Sequence, residues 1–171
     1  MASSMIYVID ANNLAGRLNL LLKKDFDTIL IERLNRFFSG KKVEVFLVFD
    51  SSDPLGDKYK SDNIKVIYAP KDDHCGSADK KIIELVKRYN NDKREMVVVT
   101  DDVELARKAK KSLSGSGQKK LQIEGASGFG ERLKKKEATP IEDKANRGSW
   151  SKPEVEEFNK NLLNRFKKYK K

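Results

Sequence analysis

The chain contains one cysteine, one histidine and one tryptophan among its 171 residues, and these scarcities close off several chemistries. Cys75 has no partner for an internal disulfide, which suits a reducing interior. A single histidine, His74, leaves no convincing Ser-His-Asp arrangement. Zinc would need more soft ligands at suitable spacing, so the adjacent His74 and Cys75 are read as incidental loop residues. No GxxxxGK[ST] loop is present to cradle nucleotide phosphates. No apolar run approaches the roughly 20 residues of a membrane span, and no secretory signal is visible. The expectation is a cytoplasmic protein that does not engage a membrane.

What is abundant is charge. Charged residues reach 36% against 38% hydrophobic, so part of the chain is solvated rather than packed. A formal net charge of +10 and a pI of about 9.5 favour polyanions over acidic proteins as partners. The excess is uneven: from Lys134 onward there are 12 Lys or Arg against 6 Asp or Glu, a net of +6, leaving +4 for the preceding 133 residues. The length suits one ordinary domain with an appendage, and the division expected is a domain over 5–133 and a basic extension over 134–171. Pro153 opens a stretch with Val155, Phe158, Leu162 and Phe166 at helical spacing among lysines, predicting an amphipathic helix.

Periodicity outlines an α/β chain. Residues 5–10 (MIYVID), 43–50 (VEVFLVFD), 64–69 (IKVIYA), 96–100 and the short 120–124 read as strands. Between the first two lie a polar turn, Ala11-Asn12-Asn13, a leucine-rich stretch from Leu18 to Leu22, and a helix capped by Asp27 that runs to Phe38 and stops at Ser39-Gly40. The segment SSDPLGDKY reads as a turn-rich loop. Ser77 is placed as the cap of a helix from Ala78 to about Tyr89, a further helix spans 102 to about 112, and a short one covers Phe129 to Lys136. This alternation predicts a three-layer α/β/α sandwich on a mainly parallel sheet.

The strand ends carry the chemistry. Asp10, Asp50 and the pair Asp101-Asp102 each close an apolar strand, and Asp79 opens a helix. Strands apolar at nearly every position are buried on both faces. In such sheets the functional crevice lies outside their carboxyl ends, where strand order reverses. Carboxylates gathered there repel one another unless something cationic sits between them, and an oxygen-loving divalent metal is the natural candidate. Each residue also has a plainer role: Asp10, Asn12 and Asn13 are good turn formers, and one of Asp101 and Asp102 is expected to cap the following helix. Glu84 lies off the face of Asp79 and is read as solvated.

VIDANNL, then VFD, SADKKIIE and VVVTDD, in that order, resemble the NYN domain and specifically its YacP-like branch, a relative of the PIN-domain nucleases. The resemblance covers about residues 5–133. It implies a parallel sheet with Asp10 and Asp101 on neighbouring central strands, and a ribonuclease using Mg²⁺ or Mn²⁺. Residues matching the family's polar positions are Asp10, Asn13, Asp50, Asp79 and Asp101. On that basis Asp10, Asp79 and Asp101 are assigned to catalysis, and Asp10, Asp101, Asp79, Asp102 and Asp50 to the cation. Asn12, Asn13 and Lys80 are assigned to the substrate. The chain departs from the pattern at Ala11 and Asn12, which replace Gly-Tyr, and at Lys80, where a second acid often follows. The register between Asp101 and Asp102 stays open. The function implied is endonucleolytic RNA hydrolysis, with mRNA or a ribosome as the setting. The alternative is a non-catalytic RNA- or ribosome-binding module that keeps the fold.

Overall fold

The structure, a computed structural model, describes residues 5–51, 57–70, 77–113 and 120–138. Its strands are β1 (Met5–Asp10), β2 (Val43–Ser51), β3 (Asp57–Ser61), β4 (Ile64–Pro70), β5 (Met96–Val99) and β6 (Leu121–Glu124). Its helices are α1 (Ala11–Arg17), α2 (Phe26–Phe38), α3 (Ser77–Arg88), α4 (Val103–Lys111) and α5 (Ala126–Ala138). His74, Cys75 and residues 139–171 of the expected extension, with the helix expected from Pro153, lie outside the described residues, while 134–138 are the end of α5.

The six strands form one sheet in the order β3-β4-β2-β1-β5-β6. Every neighbouring pair is parallel except β3–β4. β1 is central because it is apolar nearly throughout, and the alternation of its side chains assigns them to two cores. Ile9 joins Val45, Leu47, Phe49, Val97 and Val99 on one face, beneath α1, α2 and α5. Ile6 and Val8 join Phe46, Val48, Met96 and Val98 on the other, beneath α3 and α4. A mainly parallel sheet covered on both faces is the three-layer architecture expected.

Several elements differ from the sequence reading. The Ala11-Asn12-Asn13 segment is the first turn of α1 and not a free turn, because the Asp10 side chain accepts the Asn13 N–H and caps the helix. Of the leucine-rich stretch that follows, Leu18 and Leu20 are buried while Leu21 and Leu22 are exposed. α2 begins at Phe26, with Asp25 at the cap position, and Asp27 sits inside the first turn, where it accepts the Tyr68 hydroxyl at 2.8 Å. The end of SSDPLGDKY is a strand: β3 pairs antiparallel with β4 across a tight turn in which Asp62 adopts φ 50°, a conformation Asp tolerates better than most residues. α5 starts at Ala126, earlier than expected, and continues to Ala138.

The connections position the site. The chain moves from β1 to β2 through α1 and α2 on one face, then from β4 to β5 through α3 on the other. Strand order therefore reverses between β1 and β5, and a crevice opens beyond their carboxyl ends.

Candidate active site

The register sets the lateral neighbours. Ile9 pairs with Leu47 on one side and Val99 on the other, so Asp10 and Thr100 emerge side by side one residue later. Thr100 Oγ1 donates to Asp10 Oδ2 at 3.2 Å, and the same hydroxyl oxygen accepts the Asp102 N–H at 3.0 Å. The two asparagines bind the strand ends together. Asn13 Oδ1 accepts the Asp101 N–H at 3.0 Å, and Asn12 Oδ1 accepts the Asp50 N–H at 3.3 Å. Their side-chain amide groups have no hydrogen-bond partner among the described residues, which leaves donors at the crevice.

Four of the five aspartates also serve helix N-termini. Asp10 caps α1 through Asn13, and Asp102 caps α4 through the N–H groups of Glu104 and Leu105 at 2.8 and 2.9 Å. Asp50 Oδ1 accepts the Ala78 N–H in the first turn of α3 at 3.1 Å. Asp101 accepts the Ser127 N–H at 3.2 Å and its hydroxyl at 3.3 Å, in the first turn of α5. Free N–H groups and the helix macrodipole stabilise a carboxylate at each point. Repulsion among the acids is therefore offset in part by the protein itself, and a bound cation is not the sole means of holding them together.

Asp79 differs: it has neither hydrogen bond nor ion pair among the described residues. Its carboxyl is held above the usual carboxylate range by burial first, then by the charges of Asp102 and Asp50, while Lys108 opposes the shift. Asp10, only 8% exposed, is pushed up to about 6. Burial is the leading cause, and Asp79 and Asp50 add to it against the pull of the Asn13 and Thr100 hydrogen bonds. Asp10, Asp50, Asp79 and Asp102 thus form one electrostatically coupled set.

Asp101 looks elsewhere. Its carboxylate receives Arg17 Nε at 2.5 Å, and its neighbour is Gly125, where an added Cβ would lie 2.9 Å from Asp101 Oδ1. Asp102 is the one of the adjacent pair that sits with Asp79. Lys80 lies on the first turn of α3, directly after Asp79. Thr100, Arg17 and Ser127 were not singled out from the sequence. Thr100 could have been, as a polar residue closing an apolar strand; the other two are assembled only by the fold.

No three Asp, Glu, His or Cys side chains converge closely enough to hold a metal ion among the described residues. Mg²⁺ keeps several of its waters and takes one or two carboxylates directly. The hard oxygen donors of Asp10 and Asp79, with Asp50 and Asp102 nearby, suit such an ion held partly through water. No helix among the described residues is long and apolar enough to cross a membrane.

Comparison with known proteins agrees with this layout. No curated protein sequence matches the chain. Among solved structures, Rae1 (YacP) from Bacillus subtilis superimposes with a TM-score of 0.58 at 17% sequence identity, over 85% of this chain and 86% of that one. At that identity the likeness speaks for the fold alone. The family model described as the YacP-like NYN domain matches residues 8–170, and NYN domains are in general nucleases acting on RNA. With the strand order, the switch-point crevice and the match along nearly its whole length, the chain belongs to the YacP-like NYN domain family.

Proposed function

We propose that this chain is a Mg²⁺- or Mn²⁺-dependent endoribonuclease that hydrolyses RNA phosphodiester bonds at the carboxyl edge of β1 and β5, acting in the cytoplasm on mRNA or in a ribosomal context. The observation that carries the reading is Asp10: a carboxyl buried at the switch point, coupled to Asp79 and raised to about 6. A helix cap alone needs no such burial, since caps work at the surface. Strongly perturbed acids in a crevice are candidates for chemistry.

A bound divalent ion would polarise the phosphoryl oxygen and offset the charge that develops in the transition state. Asp10 and Asp79 are the residues that would hold it, with Asp50 and Asp102 supplying further negative potential. Asp79, raised above the usual carboxylate range by burial and the neighbouring acids, suits the role of general base where it does not itself hold the ion. The amide N–H groups of Asn12 and Asn13 can donate to a phosphate oxygen. Their positions are set by the backbone bonds that their own oxygens accept. Asp101 holds Arg17, whose guanidinium is half exposed and brings a positive charge to the rim.

A second reading, an RNA- or ribosome-binding module without catalysis, draws support from the absence of three converging ligands among the described residues. The two separate on one assay. Asp10→Asn and Asp79→Asn should each lower cleavage of a single-stranded or loop RNA by at least about 100-fold, the scale at which general-base and electrostatic contributions operate. EDTA should stop the wild type, and Mn²⁺ should restore it. Variants that cut as fast as wild type would leave the binding module as the correct account.

A further inference from the structure

α3 and α4 lie side by side on one face of the sheet, and between them runs a groove with a volume of about 670 Å³. One end of it is Asp79, a member of the acidic set. Its walls are otherwise mainly basic, with Lys80 beside Asp79, Lys87 further along α3, and Arg107, Lys108 and Lys111 on α4; the one other acid, Glu84, is paired with Lys81 and Arg88. Lys80 and Lys87 recur at helical spacing along the same side of α3, as do Arg107 and Lys111 on α4. At a rise of 1.5 Å per residue, Asp79 and Lys87 are about 12 Å apart along the axis of α3.

Several of these cations have anionic neighbours and several do not. Arg107 pairs with Glu104, and Lys108 lies 3.8 Å from the same carboxylate. Lys87 and Lys111 are exposed and form no ion pair among the described residues. Each stands in the last turn of its helix, where a cation complements the macrodipole, and each leaves its ammonium group in solvent on the wall of the same groove. A second basic depression, lined by Lys58, Lys60, Lys65, Lys81 and Arg88, lacks any of the five aspartates, so of these two only the α3–α4 groove is continuous with the acidic crevice.

We infer that the α3–α4 groove is the track along which the backbone of single-stranded RNA is held as it approaches Asp79, with Lys87 and Lys111 as phosphate contacts. The inference rests on the nuclease reading for its direction toward Asp79, but the groove itself is defined by charge and shape. A positively charged groove that follows the backbone is how single strands are bound without base readout. The acidic crevice by itself repels RNA, so affinity must come from cations near it, and this wall supplies them over about 12 Å of α3 beyond Asp79.

The test is binding of a fluorescent single-stranded RNA in EDTA across a series of salt concentrations, with full-length protein. The double variant Lys87→Ala/Lys111→Ala is compared with Lys42→Ala/Lys93→Ala, which removes equal charge from exposed lysines before β2 and β5 that do not line the groove. Each phosphate neutralised on a single strand adds about 0.7 to the slope of log affinity against log salt. The groove variant should therefore show a slope shallower by about 1.4, while the control changes much less. Equal changes in the two would overturn the groove. Because no metal is present, the result does not depend on catalysis: a slope reduced only in the groove variant of a protein that never cleaves RNA would uphold the track and remove the nuclease.

Discussion

At Asp10 chemistry and stability pull in opposite directions. The folded protein raises its carboxyl from 3.8 to about 6, so the native state binds the proton more tightly than the unfolded chain does. Stability then falls as pH rises from about 4 to about 6, and the full cost of burying the charge is present above that. A shift of this size corresponds to about 3 kcal/mol. Asp10→Asn, which has no charge to bury, should gain up to about that amount over wild type near pH 7.5 and little near pH 4. Urea unfolding at the two pH values, in EDTA, measures it. A difference between the proteins that does not vary with pH would mean that the carboxyl is not the seat of the strain. A residue whose removal stabilises the fold while abolishing cleavage is held in place for function and not for structure.

The elements meet the site through their ends. β1 closes on Asp10, β2 carries Asp50 one residue before its end, the turn after β5 carries two more aspartates, and the helices α1, α3, α4 and α5 supply the N–H groups that donate to them. Capping and chemistry are consequently mixed in the same side chains, and substitution by different residues separates them. Asp102→Asn keeps an oxygen able to accept from Glu104 and Leu105, so unfolding free energy should stay within about 0.5 kcal/mol of wild type. Asp102→Ala loses the cap and should cost about 1 kcal/mol. Cleavage should fall in both, since both remove the charge that sits with Asp79. Full activity in the Asn variant would assign Asp102 to capping alone.

For the whole molecule the relevant quantity is the distribution of charge. Residues 139–171, the part of the extension beyond α5, hold nine Lys or Arg and five Asp or Glu, a net of +4. Lys167, Lys168, Lys170 and Lys171 crowd its last five positions. Changing these four to Gln should weaken RNA binding and make the salt slope shallower by up to about 2.8, since each phosphate left unneutralised subtracts about 0.7. The cleavage rate of a short RNA at saturation should be little affected, because the acidic set lies wholly within residues 10–102. A titration of both proteins at two salt concentrations reads the slope directly. An unchanged slope would mean that these lysines are solvated and make no phosphate contact.

The sequence by itself determined the class of fold, since apolar runs of strand length alternating with amphipathic stretches leave few architectures besides a covered parallel sheet. It also determined that Asp10, Asp50 and Asp101-Asp102 would reach one edge, because parallel strands share a direction. β3 was harder to see: its residues alternate weakly, and the Asp62-Asn63 turn that signals the hairpin follows a loop rich in the same residue types. Which aspartates act together could not be read from order along the chain. Asp101 and Asp102 are neighbours in sequence, yet the turn after β5 sends one to Arg17 and Ser127 and the other to the side of Asp79. The crossover from β1 to α1 converted an expected polar turn into a capped helix, giving Asn12 and Asn13 the task of joining β1 to its two neighbours. Burial of Asp10, and hence its raised affinity for a proton, exists only once two cores close around the end of β1. Desolvation and charge coupling depend on distances in space, and those are set by packing.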